Sequence, residues 1–108
     1  MEIMAKEHVY ELCFQMISAA GTACSMYMEA LNAAKTGDFE EAERLIGEGD
    51  QLQIQGHTLH TDLISQEAGG SDVPMNLILV HSEDQMMKTE IIKVMAEEFI
   101  EMYRSKSC

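Results

Sequence analysis

Apolar residues recur three and four positions apart along nearly the whole chain, in three long runs with only two interruptions. That is the period of a helix face, and the alternation expected of a strand is almost absent. In the first run Val9, Leu12, Met16, Ala20, Ala23, Tyr27, Leu31 and Ala34 keep the spacing, which predicts a helix over about residues 4–35. Gly37 then offers a residue tolerant of left-handed backbone just past the last turn. Asp38, with Glu41 three positions on, forms a capping-box pattern for the next helix. That helix passes from Phe39 through Leu45, Leu52, Leu59 and Leu63 to a break at Gly69-Gly70-Ser71-Asp72-Val73-Pro74. Ser71 or Asp72, followed by the only proline, starts a third helix over about residues 75–104.

Three such rods joined by short turns make an all-α, antiparallel up-down-up three-helix bundle, with residues 1–108 as one domain. A helix of this length is about 45 Å long, so the molecule is elongated and its core thin. Gly47, Gly49 and Gly56 weaken the middle of the second helix unless another helix approaches closely there. The third helix carries a main apolar stripe of Leu77, Val80, Met87, Ile91, Val94 and Met95, and a second patch of Ile78, Ile92, Ala96 and Tyr103 beside it. Two neighbouring helices cannot cover both, which argues for self-association through this helix.

The 19 acidic against 7 basic residues give a net charge of −12, which repels polyanions and excludes nucleic-acid binding and adhesion to anionic lipid. Cations and basic proteins are the partners such a surface favours. Cys13, Cys24 and Cys108 follow no metal-type or disulfide spacing, and Cys13 and Cys24, three helical turns apart, read as small buried residues. Glu2, Lys6, Glu7, His8 and Glu11 interrupt any signal-peptide core and no apolar stretch reaches membrane-spanning length, so a cytoplasmic protein without membrane insertion is expected.

Asp84 falls inside the main stripe of the third helix. A carboxylate among apolar side chains needs a partner, a proton or a cation. It is either tolerated locally, for instance beside Lys88, or placed on an oligomer axis where equivalent Asp84 side chains share a metal ion or a proton. His81 stands one turn earlier on the edge of the stripe, with Gln85 in reach four residues on. An imidazole at such an edge suits nucleophilic chemistry, although a plain interfacial histidine satisfies the same pattern. His57 and His60, three apart on the second helix, offer two ligands without a recognisable third, and His8 is expected to be solvated. Gly-rich phosphate loops, GxSxG, CxxC and the Glu-x-x-His of di-metal bundles are absent from the sequence.

The stretch F-Q-M-I-S-A-A-G-T-A-C-S-M-Y-M-E-A-L-N-A-A-K-T-G-D-F from Phe14 to Phe39 resembles the first helix and turn of the lactose/cellobiose-type enzyme IIA component of the bacterial sugar phosphotransferase system. G-H-T-L-H-T-D-L-I-S-Q-E-A-G-G from Gly56 to Gly70 and V-H-S-E-D-Q-M-M from Val80 to Met87 are similar to that family's second helix end and active-site segment. The resemblance implies a homotrimer of three-helix subunits and a phosphotransferase component that works through a phosphohistidine. It implies that His81 accepts a phosphoryl group from the phosphocarrier protein HPr and passes it to a cysteine of the cognate IIB component. The sugar, lactose, cellobiose, chitobiose or a relative, is phosphorylated as it passes through IIC. Asp84 matches the family aspartate that gathers about one Mg2+ per trimer.

The family segment reads H-x-Q-D-H-L-M, whereas this chain has Glu83 in place of Gln, Gln85 in place of His, and His60 where Gln is usual. His57, His60 and Gln85 are therefore expected as neighbours of the active site, with the titratable imidazole moved from position 85 to the second helix. On an ideal helix Glu83 points away from His81 within one subunit, which leaves it able to face a neighbouring one. Two other functions stay open: a non-catalytic or regulatory trimeric interaction protein of the same family, and a histidine phosphotransfer module of a signalling relay. The latter expects a four-helix bundle and His followed by Lys-Gly, where this chain has Ser82-Glu83.

Overall fold

A computed structural model describes residues 5–106. It contains three helices of equal length, α1 (Lys6–Lys35), α2 (Phe39–Ala68) and α3 (Leu77–Lys106), and among the described residues no strand. The breaks follow local chemistry. Gly37 adopts φ 82° and Gly70 φ 106°, backbone that side chains with a Cβ rarely enter. Asp38 caps α2, its Oδ1 accepting the Glu41 N–H at 3.2 Å. The reciprocal half of the capping box is not made, because Glu41 turns its carboxylate to Arg44, which holds that carboxyl below its ordinary range.

The third helix starts later than the Pro74 signal suggests. Residues 71–76 are non-helical and bury Val73 against the core, and Asn76 caps α3 instead, its Oδ1 accepting the Leu79 N–H at 2.9 Å. Of the two cysteines expected inside, Cys13 is buried and Cys24 half-buried, while Cys108 lies outside the described residues.

The molecule measures 61 × 20 × 19 Å. Its core changes character along that length. Val9, Leu12, Met16, Leu63, Leu79 and Met86 fill the end near the start of α1 and α3. Ala30, Ala34, Ala42, Leu45 and Ile100 fill the other end, and Ala23, Tyr27 and Ala96 join the two. The alanines on α1 let both partners approach it closely, whereas α2 and α3 meet mainly through side-chain pairs. Two glycines mark the tightest approaches. A Cβ at Gly49 would lie 2.6 Å from Tyr27 Cε1, and one at Gly56 would lie 2.8 Å from Met86 Sδ. Gly47 faces open space and admits no helix, contrary to the expectation for all three.

The apolar surplus on α3 is the main stripe itself. Leu77 is 82% exposed and Ile91 64%, with Val80, Met87, Val94 and Met95 exposed beside them. The second patch turns inward: Ala96 is buried, and Ile78, Ile92 and Tyr103 pack against the core. Two hydroxyl residues share that inner face. Ser82 Oγ donates to Leu79 O at 2.8 Å, and Thr89 Oγ1 shares its one hydrogen between Gln85 O at 2.9 Å and Ala20 O at 3.1 Å. These bonds satisfy the buried hydroxyls and let α3 present its smaller residues to α1.

Candidate functional site

His81 and Asp84 both lie in the first turns of α3, on or beside the uncovered apolar stripe, and both are exposed. Neither makes a hydrogen bond or ion pair with another described residue. An exposed imidazole with unengaged ring nitrogens can attack an electrophile delivered by another molecule. Asp84 does not use Lys88, whose Nζ donates instead to Gln85 Oε1 at 2.7 Å. That bond engages the oxygen end of the Gln85 amide and leaves its NH2 group, one turn beyond His81, as a donor.

The α2-facing flank of α3 carries a different set of contacts. His60 Nε2 lies 2.6 Å from Glu83 Oε2, and His57 Nε2 lies 2.5 Å from Glu90 Oε1. Within one chain, His57 and His60 are thus held by carboxylates on the flank of α3 turned away from His81, and not beside it. Farther along the same seam Lys93 Nζ lies 2.9 Å from Asp50 Oδ1, which also accepts from the buried Tyr27 hydroxyl at 2.8 Å. Burial first, and then the bond to Asp50, pushes the Tyr27 hydroxyl far above its ordinary pKa; the same carboxylate raises Lys93. Arg104 meets Glu43 at 2.8 Å near the end of the helix.

The sequence reading did not anticipate the two His–Glu rungs. Their only signal is that positions 57 and 60 pair with 90 and 83 in an antiparallel register, which requires knowing how α2 slides on α3. Among the described residues no three His, Cys, Asp or Glu side chains converge as a metal cage, and no helix is long and apolar enough to cross a membrane.

Comparison with known proteins adds to this geometry. Residues 11–104 match the family described as "PTS system, Lactose/Cellobiose specific IIA subunit". The chain is 36% identical over 104 residues to the "PTS system lactose-specific EIIA component" of Staphylococcus epidermidis, covering 96% of this chain and 100% of that one. Its fold superposes with a TM-score of 0.91 on the crystal structure of PtcA from S. mutans, at 29% identity over 94% of this chain and 99% of that one. It superposes with a TM-score of 0.79 on a chain from the solution structures of the IIA(Chitobiose)-HPr complex of the Escherichia coli phosphotransferase system, at 25% identity over 93% and 97% of the two chains. A three-helix bundle with an exposed histidine on its third helix, matched over nearly its whole length, belongs to the lactose/cellobiose-specific IIA subunits of the sugar phosphotransferase system.

Proposed function

We propose that this chain is a phosphohistidine carrier for sugar uptake, in which His81 takes a phosphoryl group from HPr and yields it to a cysteine of the cognate IIB component. The observation that carries the reading is His81 itself, exposed and unengaged on α3 in a chain of this family. The HPr complex of a chitobiose-specific relative supports HPr as donor. An unprotonated imidazole nitrogen attacks the phosphorus in line; the nitrogen–phosphorus bond forms as the bond to the donor breaks. In the second transfer the IIB thiolate attacks, a sulfur–phosphorus bond forms and the imidazole leaves. The protein contributes position and stabilisation of the phosphoryl oxygens, for which the Gln85 NH2 group stands one turn away. IIC then completes uptake of lactose, cellobiose, chitobiose or a related sugar.

The same reading includes a homotrimer formed through the exposed stripe of α3, with Asp84 on its axis. Asp84 is the carboxylate that one chain brings to the stripe, and among the described residues of one chain no cage exists. Three copies would bring three hard oxygen donors, a set that suits Mg2+ with water at the remaining positions. Asp84 from each copy would hold such an ion, which would offset the repulsion among the three carboxylates.

Incubation with phosphoenolpyruvate, enzyme I and HPr should label the protein on His81; full labelling of His81→Ala would sink the assignment. Elemental analysis after Mg2+ saturation should find about one ion per trimer, and metal-free trimers would remove the ion from the proposal. A non-catalytic trimer of the same family is the second reading. It is favoured by the departures at positions 83 and 85, since Gln85 can donate a hydrogen bond but cannot titrate or carry positive charge, and it predicts trimers that take up no phosphate.

A further inference from the structure

The uncovered face of α3 has a second periodicity that fixes how copies meet. Leu77, Val80, Asp84, Met87, Ile91 and Val94 alternate at spacings of three and four, which is the a/d repeat of a coiled coil. On that register His81 and Lys88 occupy e positions, while Glu83, Glu90 and Glu97 occupy g positions. One flank of the seam is therefore neutral to basic and the other wholly acidic.

This asymmetry selects an orientation. Antiparallel helices set g against g and would bring the three glutamates of one copy against those of the other. Parallel helices set g of one copy against e of the next, five positions on, and match Glu83 with Lys88. Both side chains have capacity left for such a bond. Glu83 gives Oε2 to His60 of its own chain and keeps a second oxygen; Lys88 gives one of three N–H donors to Gln85.

Resting on the trimeric carrier reading, we propose that Glu83 of each subunit binds Lys88 of the next, so that the Gln85 amide one turn from His81 is held in place from a neighbouring copy. The connected groups run from His60 and Glu83 of one subunit to Lys88 of the next, and through Gln85 to the turn that carries His81. Glu83 and Lys88 are positioning residues: they hold the Gln85 amide and the subunit register without touching the phosphoryl group.

Charge reversal tests the pair. Glu83→Lys or Lys88→Glu alone should raise the trimer dissociation constant about tenfold or more, and combining the two should restore most of it, as expected for three symmetric pairs. Coupling by a water-soluble carbodiimide tests the pair at its native residues, because it condenses a carboxylate with an amine in direct contact. On one helix positions 83 and 88 lie about 140° apart, on opposite flanks. A Glu83–Lys88 amide mapped by peptide mass in species of dimer and trimer size therefore joins two chains, and the products should close at a covalent trimer. A monomer in solution, a trimer without 83–88 linkage, or a charge swap without rescue would each overturn the proposal. Labelling of His81 by phospho-HPr is followed in the same preparations. Wild-type labelling without 83–88 linkage overturns the pairing and leaves the carrier reading standing, whereas linkage without labelling does the reverse.

Discussion

Met86 and Met87 are adjacent in sequence and opposite in fate: the first is 3% exposed, under Gly56 and the α1 core, and the second is 63% exposed on the outer stripe. The contrast extends along α3. The inner face carries Ser82, Thr89 and Ala96, while the outer face carries Leu77, Val80 and Ile91. Hydrophobicity alone would have put the outer set inside. Fit decides otherwise: between Leu79, Met86 and Ile100, which fill the core, the alanine-lined surface of α1 takes Ser82 and Thr89, whose hydroxyls find carbonyls. Leu77, Val80 and Ile91 are left for something outside the chain.

The strongest test of that contrast is Met86→Ala, which leaves a void beside Gly56 and should cost about 2–4 kcal/mol of folding free energy in urea unfolding. A loss no larger than that of a surface substitution would mean that the inner face is not closely packed.

Gly49→Ala tests the tightest approach. Its Cβ would fall 2.6 Å from the Tyr27 ring, which is itself fixed by the bond to Asp50, so the cost should be about 1–3 kcal/mol despite the better helix propensity of alanine. Gly47→Ala, facing open space, should instead be neutral or stabilising. The same contact sets an alkaline limit. Tyr27 and Lys93 both have folded pKa values raised above the unfolded ones, so their contribution is complete below about pH 10 and is lost as pH climbs towards the folded values. Melting temperature should fall above pH 10, and tyrosinate absorbance from Tyr27 should appear only with unfolding.

Thr89→Val keeps the shape of the inner face and removes bonds to Ala20 O and Gln85 O. A loss of about 1 kcal/mol is expected; no change would show that the inner hydroxyls are filler.

Much of this architecture can be read from the chain. Gly37, the Asp38 cap and the Gly69-Gly70 break delimit the helices because each acts within a few residues. Gly49 and Gly56 announce close approaches because a glycine inside a helix is otherwise unfavourable. The choice of which stripe of α3 faces inward was not legible, since it depends on the small residues of α1 that it must fit. The start of α3 was placed within two residues, but its cap escaped, because Asn76 takes that role in place of Ser71 or Asp72 once Val73 is drawn into the core. For the candidate site, His81 and Asp84 stand out by their place on one helix, whereas the His60–Glu83 and His57–Glu90 pairs depend on the register of two helices and have no local signature.

The smallest expected effect on folding belongs to Met87→Ala, and it separates the two faces most sharply. Its side chain already meets solvent in the single chain, so truncation should shift monomer stability by no more than about 0.5 kcal/mol. Self-association should respond differently: Met87 lies between Asp84 and Ile91 on the stripe, so removing it from each copy in an assembly opens a void at every contact. Sedimentation equilibrium should then show weaker association at unchanged helix content. A folding loss equal to that of Met86→Ala would mean that Met87 already has a partner within its own chain. Unchanged association would mean that copies meet elsewhere, and the bulk of Leu77, Val80 and Ile91 on the outer face would have to serve a different partner.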